Sequence, residues 1–285
     1  MTPKGIIVAI GGAEDRGFKE HLDSDHDFQH DSILSHIVKL AGGKKAKIRV
    51  VTSASSIPHE ISDNYKYAFN KLGCKDIETL FIRSKQGADS GRSIRLLKDA
   101  SCIMFSGGDQ RKLGKIFRGT KFLKLLKERY QNEKIVVAGT SAGAVAMSTN
   151  MVSGGSVVDA MLKGAVKIRP GLGFVRNVIF DSHFVKRGRF GRLTEAIALY
   201  PKKLGIGLGE DTGVIINNGT EYQVIGSGMV VIFNGSKLDH NKSQELQKGT
   251  PISISNMIMH VLANGDRFDI KKRTIEILPL EASFV

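Results

Sequence analysis

Short apolar runs alternate with longer amphipathic stretches through the first two-thirds of the chain. The short runs are rich in β-branched residues, which predicts buried strands. The longer stretches carry apolar residues three or four positions apart and predict helices between the strands. This alternation is typical of an α/β fold with a mainly parallel sheet flanked by helices. Strands are predicted at 6–10, 48–52, 77–82, 102–105 and 135–138, and helices at about 31–41, 60–72, 93–100, 110–116 and 122–130.

The order of elements changes after about residue 178. A strand is predicted at 178–184, followed by a basic helix to about residue 200. No internal repeat, low-complexity linker or Pro/Ser-rich hinge separates this part from the first, so the sequence predicts a single domain over 1–285. Further strands are predicted at 205–208, 214–216, 222–225 and 229–233, and edge strands at 252–262 and 274–277.

Small and polar residues follow several of the predicted parallel strands. Glycine is unusually frequent, with 32 residues in 285, against a typical share of about 7%. The carboxyl ends of parallel strands form the ligand crevice of open α/β sheets. The sequence therefore predicts the functional site at this edge, where the small and polar stretches are 11–13, 52–56, 106–110 and 138–143.

Composition and charge narrow the possible classes of protein. Hydrophobic residues make up 41% and charged residues 25%, which excludes a disordered or fibrous chain. The net charge of +14 raises nucleic acid as a partner, but the basic residues are scattered and no nucleic-acid-binding signature is present. The sequence therefore predicts no nucleic-acid partner.

The cysteine content and the apolar runs of the chain indicate the cellular compartment in which the protein is expected. Cys74 and Cys102 stand alone in apolar surroundings, which predicts buried thiols in a reducing compartment rather than disulfides. No signal-peptide pattern precedes the first apolar run, so a cytoplasmic protein is expected. The uncharged stretch 135–158 is interrupted by glycine, serine, threonine and asparagine, which argues against a membrane span.

The stretch 135–147 has the pattern of a nucleophile elbow. A buried strand runs into the G-x-S-x-G turn at 139–143, and a small-residue helix follows. Small neighbours let the chain turn sharply and leave the hydroxyl of Ser141 exposed, while the helix N-terminus favours developing negative charge. The alternative is a glycine-rich turn in which Ser141 only caps the helix.

A serine nucleophile needs a base and an acid that orients it. His183 is the best base, because it ends a predicted apolar strand, although it could also be a structural histidine. Glu210 follows another short strand and is the candidate acid, with Asp211 as its competitor. The resulting order Ser, His, Glu differs from that of the α/β-hydrolases. A cysteine nucleophile is disfavoured because neither cysteine lies in a comparable turn.

Five motifs in order resemble those of the cyanophycinases, close relatives of the aspartyl dipeptidases within one serine-peptidase family. The resemblance runs from residue 5 to about residue 277. The motifs are GGAED at 11–15, FSGGDQ at 105–110, GTSAGA at 139–144, DSHFVKRGRFGRL at 181–193 and GEDT at 209–212.

The resemblance implies a glutamine-amidotransferase-like α/β fold in which serine replaces cysteine, commonly as a homodimer without a cofactor. It implies a catalytic triad of Ser141, His183 and Glu210, with the N–H groups of Gly108 and Ala142 forming the oxyanion hole. The implied substrate is cyanophycin, a poly-aspartate with arginine on each β-carboxyl, which such enzymes cut to β-aspartyl-arginine dipeptides. Substrate aspartyl and arginyl groups would meet Gln110, Asp181, Arg187, Arg189 and Arg192.

Two features depart from that pattern. The family has glutamine between the aspartate and the histidine, whereas this chain has Ser182, whose hydroxyl reaches less far. The run 20–31 is dense in histidine and carboxylate residues, but its spacings fit no metal signature. We expect a solvated loop or lid there, with incidental metal binding as the alternative, and predict no metal site.

The function that the sequence predicts is that of a serine exopeptidase acting on cyanophycin. An isoaspartyl or aspartyl dipeptidase would keep the same triad but need a pocket for a single short peptide. A catalytically silent protein that uses its basic crevice to bind acidic peptides or nucleic acid is the alternative from another class.

Overall fold

A nine-stranded mixed sheet forms the centre of the part of the protein that the structure describes. The computed structural model describes residues 2–18, 28–155, 157–239, 245–279 and 282–285. Five parallel strands run in the order β1, β5, β4, β2, β3 along one half of this sheet. They are β1 (Ile6–Ile10), β2 (Lys47–Val51), β3 (Asp76–Leu80), β4 (Cys102–Phe105) and β5 (Val136–Thr140).

Helices cover both faces of the parallel strands. Side chains alternate between the faces, so Ile7 and Ala9 enter one hydrophobic core and Val8 and Ile10 the other. Burial on both sides explains why the strands β1, β4 and β5 are almost continuously apolar. The helices are α1 (Ile33–Leu40), α2 (Pro58–Lys71), α3 (Lys85–Ala88), α4 (Gly91–Asp99), α5 (Gln110–Phe117), α6 (Lys121–Asn132), α7 (Ala142–Ala146) and α8 (Phe190–Leu199).

Side-chain caps fix where several of these helices begin. Ser32, Ser90 and Thr120 each accept a hydrogen bond from a backbone N–H in the first turn of α1, α4 and α6. Asp109 caps α5 in the same way through the N–H of Arg111. The predicted α/β fold with a parallel sheet is confirmed, and most predicted boundaries agree with the observed ones within about two residues.

The other half of the sheet is antiparallel. The strands β10 (Thr212–Asn217), β11 (Glu221–Gly226), β14 (Arg267–Asp269) and β15 (Thr274–Glu276) extend the sheet outward from β1. The pairing of β10 with β1 brings the chain segment that precedes β10 back to the carboxyl end of β1.

A four-stranded sheet packs beside the central one. It consists of β8 (Val178–Asp181), β9 (Leu204–Leu208), β12 (Val230–Asn234) and β13 (Ile258–Leu262), with β8 parallel to β9. Strands β6 (Asn150–Gly155) and β7 (Val166–Pro170) form a separate hairpin that the sequence did not predict.

Two predicted strands were too long. The strand predicted at 178–184 ends at Asp181, because His183 has φ 46°, a left-handed conformation that cannot continue a strand. The segment predicted at 252–262 is a strand only from Ile258, since Asn256 also adopts a left-handed conformation.

The uncharged stretch 135–158 is divided among β5, α7 and β6. In the described ranges, no helix is long and apolar enough to cross a lipid bilayer. Cys74 and Cys102 are buried and form no disulfide, as expected, and burial raises the pKa of the Cys102 thiol.

Candidate active site

Ser141 occupies a strained turn between β5 and α7. Its backbone has φ 50° and ψ −111°, and its side chain makes no capping hydrogen bond to α7. Gly143 makes the turn possible, because a Cβ there would lie 2.3 Å from the carbonyl oxygen of Phe105. The geometry is that of a nucleophile elbow, and it argues against a simple N-cap.

His183 lies beside Ser141 although the two residues are far apart in sequence. Its Nε2 lies 3.0 Å from the hydroxyl oxygen of Ser141. The backbone N–H of His183 donates to the carbonyl oxygen of Gly11 at 2.8 Å, which holds the turn after β8 against the end of β1. A Cβ on Gly12 would lie 2.5 Å from the imidazole, so only glycine leaves room for the ring here.

Glu210 contacts the other nitrogen of the imidazole. Its Oε1 lies 2.6 Å from His183 Nδ1, and its Oε2 accepts a hydrogen bond from Lys186 Nζ at 2.8 Å. Since a carboxylate only accepts, Nδ1 must carry the proton, which leaves the lone pair of Nε2 directed at the Ser141 hydroxyl.

Asp211, the competing acid, has other partners. Its carboxylate accepts hydrogen bonds from the N–H of Asp15 at 3.0 Å and from the Ser227 hydroxyl at 2.7 Å. Burial raises the pKa of Asp211. The geometry therefore favours Glu210 as the partner of His183.

The end of β1 and the loop after it bind the three turns that carry Ser141, His183 and Asp211. The N–H groups of Ser141, His183 and Asp211 donate to the carbonyl oxygens of Ile10, Gly11 and Gly12 in turn, at 2.8–2.9 Å. The sequence predicts residues 11–13 at the functional edge, but it does not predict that their backbone binds the turns of the other candidate residues. Their position directly after the first strand, at the predicted site edge, was the available signal.

The charges around His183 determine its protonation. Burial lowers the pKa of His183, and the nearby Arg187 lowers it further, while the hydrogen bond with Glu210 raises it. Burial alone would raise the pKa of Glu210, but the hydrogen bonds from Lys186 and His183 hold it below its usual value. The resting pair at neutral pH is therefore a neutral imidazole and a carboxylate.

This arrangement predicts how activity depends on pH. The imidazole must be neutral to take the Ser141 proton, and its pKa is lowered from 6.5. We therefore expect the acid limb of kcat/KM to have its midpoint below about pH 6.5, the ordinary pKa of histidine. Initial rates across a pH series will check this, and an acid limb with its midpoint above 6.5 would contradict it.

The candidate oxyanion donors lie on the segments that flank Ser141. Ala142 is the first residue of α7. The Gly107–Gly108 loop follows β4, and a Cβ built on Gly107 would lie 3.4 Å from Ser141 Cβ. Two backbone N–H groups close to the nucleophile are what an oxyanion hole requires.

The candidate substrate arginines differ in their surroundings. Asp181 is fully buried and accepts hydrogen bonds from both Arg189 and Arg192, with Arg192 Nε at 2.8 Å and Arg189 at 3.1 Å. The Asp181 carboxylate and the Arg192 guanidinium thus already neutralise each other, and the substrate roles that the resemblance implies for Asp181, Arg189 and Arg192 stay predictions. Arg187 is exposed and makes no ion pair with any described residue.

The buried pair predicts a stability effect. Asp181→Asn would leave Arg192, which is only 6% exposed, without its counter-charge. We expect the free energy of unfolding to fall by about 3–5 kcal/mol, measured by denaturant titration. Glu78→Gln, which removes the carboxylate of a solvent-exposed ion pair with Arg92, is the control and should change stability far less. Equal effects of the two substitutions would contradict a structural role for Asp181.

Gln110 and Ser182 are both held by hydrogen bonds to neighbouring segments. Gln110 donates from Nε2 to the carbonyl oxygen of Val152 at 2.8 Å, which fixes its carboxamide against the β6 strand and leaves its oxygen as an acceptor. Ser182 is buried, and its backbone carbonyl accepts a hydrogen bond from Arg189 at 2.6 Å.

Sequence reasoning missed a buried carboxylate beneath the elbow. Glu14 is 2% exposed and accepts hydrogen bonds from Thr140, Tyr65 and Arg16. The Thr140 hydroxyl lies 2.6 Å from Glu14 Oε2 and directly precedes Ser141, so this network supports the strained turn. The available signal was the place of Glu14 in the GGAED motif at 11–15.

Most of the His- and Asp-rich run at 20–31 lies outside the described residues. Among the residues that the structure describes, no group of three or more His, Cys, Asp or Glu side chains could hold a metal ion.

Comparison with known proteins identifies the family. Residues 23–224 match the model of peptidase family S51. A cyanophycinase from Trichormus variabilis is 33% identical over 275 residues, which span 96% of this chain and 89% of the relative. A cyanophycinase from Synechococcus elongatus is 30% identical over 279 residues, which span 97% and 83%. The chain belongs to peptidase family S51 and is a serine-type peptidase, which confirms the resemblance predicted from its motifs.

Solved structures share the fold. A peptidase from an acI-B1 actinobacterium superposes with a TM-score of 0.63 at 22% identity, covering 83% of this chain and 93% of that one. A putative peptidase E from Listeria monocytogenes gives a TM-score of 0.51 at 19% identity, covering 78% and 98%. At these identities the comparison supports the α/β architecture alone.

Proposed function

We propose that this peptidase hydrolyses cyanophycin to β-aspartyl-arginine dipeptides through Ser141, His183 and Glu210. The observation that carries the proposal is the unbroken chain of contacts from the Ser141 hydroxyl through the imidazole to the Glu210 carboxylate, at 3.0 and 2.6 Å. Cyanophycinases that align over almost the whole chain support the choice of substrate.

In the proposed mechanism, Ser141 Oγ attacks the scissile carbonyl carbon while His183 Nε2 takes the hydroxyl proton. The N–H groups of Gly108 and Ala142 stabilise the oxyanion, and Glu210 stabilises the imidazolium. His183 then gives the proton to the departing amine as the C–N bond breaks, which leaves an acyl ester on Ser141. Water attacks this ester with His183 again acting as the base, and the acid product leaves with Ser141 restored.

Arg187 is the cation best placed to recognise the substrate. Each cyanophycin unit offers a carboxylate and a guanidinium, and an arginine binds a carboxylate with two parallel hydrogen bonds. Arg187 follows the base by four residues, and its guanidinium is not engaged by any described carboxylate. Gln110 would supply the acceptor for the substrate guanidinium, and Ser182 would lie at the same subsite.

Arg187→Ala should therefore raise KM for cyanophycin by about tenfold or more, as expected for a lost charged contact. Because Arg187 is exposed and pairs with no described residue, the free energy of unfolding of the Arg187→Ala variant should stay close to that of the parent protein. Arg187→Lys should restore little binding, since an ammonium lacks the two-pronged geometry. Steady-state kinetics will check this, and an unchanged KM would remove Arg187 from the pocket.

The products of digestion test the function directly. We expect incubation of the purified protein with cyanophycin to release β-aspartyl-arginine, identified by mass spectrometry. Intact polymer alongside cleavage of short isoaspartyl peptides would instead assign a dipeptidase.

Several further properties stay predictions from the sequence. They are the single domain, the homodimer, the cytoplasmic location, and independence from metal, cofactor and nucleic acid.

A further inference from the structure

A cavity opens at the same edge of the sheet as Ser141. Its volume is about 490 Å³, and one of its walls is α5, the helix that begins at Gln110. Ser53 lies just after β2, and Arg83 and Lys85 follow β3, so the cavity lies at the carboxyl ends of those two strands. This is the edge at which α/β sheets bind ligands.

The cavity is lined by cations. Arg83, Lys85, Lys112 and Lys115 all contribute to its wall, and no carboxylate does. None of the four forms an ion pair with a carboxylate of the described ranges. Like charges that converge without counter-ions repel each other, and a bound anion would relieve that repulsion.

A buried hydroxyl provides a second, independent indication of a ligand. Ser53 lines the cavity and is 1% exposed, and its Oγ has no hydrogen-bond partner within the described structure. A buried polar atom without a partner costs free energy, so such atoms need an explanation. A hydroxyl donates readily to an anionic oxygen, which is the same chemistry that the four cations favour.

The cavity lies within reach of a chain that is bound at Ser141. The strand order β5, β4, β2 puts Ser53 two strands away from Ser141, or about 10 Å at the usual strand spacing. An extended polypeptide covers about 3.3–3.6 Å per residue. A substrate backbone would therefore cross from the nucleophile to the cavity in about three residues, passing the start of α5.

We propose that this cavity binds the carboxylates of substrate units beyond the scissile bond. The peptidase thus holds an acidic polymer at two places, the triad and this cationic cavity. The inference rests on the proposed function, and it adds that long substrates are preferred over short ones because only long ones occupy both.

The test compares a polymer with a short substrate. Lys112→Gln/Lys115→Gln removes two cations from the cavity, and both side chains are exposed, so the fold should be unaffected. Lys44→Gln/Lys45→Gln is the control, with the same change in net charge in the turn Gly43–Lys45, at the opposite edge of the sheet. The substrates are cyanophycin and a dimer of β-aspartyl-arginine.

We expect the cavity variant to raise KM for cyanophycin roughly fivefold, and to affect the dimer much less. The control variant should match the parent on both substrates. Equal KM values of the two variants for cyanophycin would overturn the proposal. Binding of a single-stranded oligonucleotide that the cavity variant alone loses, with an unchanged polymer KM, would also overturn it. A parent protein that cleaves neither substrate would instead refute the proposed function.

Discussion

Ser141→Ala is expected to lower kcat for cyanophycin about 10⁶-fold, the loss typical of removing a serine nucleophile. The chemical step requires an oxygen that can form the acyl ester, and alanine has none. The fold should survive, because alanine keeps the Cβ that Ser141 already accommodates at φ 50° and because no helix cap is lost. Steady-state rates and a denaturant titration of the variant will measure both effects.

A second serine serves as the matched control for this experiment. Ser153 is buried in β6 and donates a hydrogen bond to the carbonyl oxygen of Lys167 at 3.0 Å, away from the imidazole. Ser153→Ala should keep most of the activity. If Ser141→Ala stayed as active as Ser153→Ala, the nucleophile would have to be another group.

Glu210→Gln should lower kcat about 10⁴-fold, as loss of the acid does in other triads. A carboxamide can donate to Nδ1 of His183, which would put the imidazole proton on Nε2, facing Ser141. Glu210 also raises the pKa of His183, so its removal should shift the acid limb of kcat/KM to lower pH. Rates measured across a pH series report the loss of turnover and the shift together.

The variant Asp211→Asn distinguishes the role of Asp211 from that of its neighbour Glu210. The Asp211 carboxylate accepts hydrogen bonds from Asp15 and Ser227 and does not contact the imidazole. The substitution should therefore cost about 1 kcal/mol of stability and little turnover. A larger loss of turnover in Asp211→Asn than in Glu210→Gln would make Asp211 the orienting acid.

The parallel half of the sheet was predictable because its physical signals are local. Strands buried on both faces read as apolar runs, and the glycines after α1 and α2 mark their ends, with Gly42 and Gly73 at positive φ. The hairpin of β6 and β7 was missed because a bulge between Val152 and Gly154 interrupts the alternation that identifies a strand.

The elbow and its partners could also be inferred, because each follows a strand with a distinct pattern. The sequence could not reveal which charged side chains pair with one another in the folded protein. Asp181, Arg189 and Arg192 all looked available for substrate, yet they form one buried cluster. Such pairing depends on the path of the chain between β8 and α8, which no local pattern encodes.

The same limit applies to the groups that support the triad. Gly12 contacts the imidazole, and Glu14 lies beneath the elbow, although both are more than 120 residues from Ser141 in sequence. Lys186 reaches the free oxygen of Glu210 because the turn after β8 brings the two together. These contacts come from the pairing of distant strands, and only the three-dimensional structure reveals them.

Covalent labelling will show whether Ser141 is the nucleophile and whether His183 activates it. The protein is treated with a serine-directed phosphonyl fluoride, digested and mapped by mass spectrometry. We expect one adduct, on Ser141, that forms in step with loss of activity and does not form in His183→Ala. An adduct on a different residue that tracks the loss of activity, or full activity with Ser141 completely labelled, would contradict it.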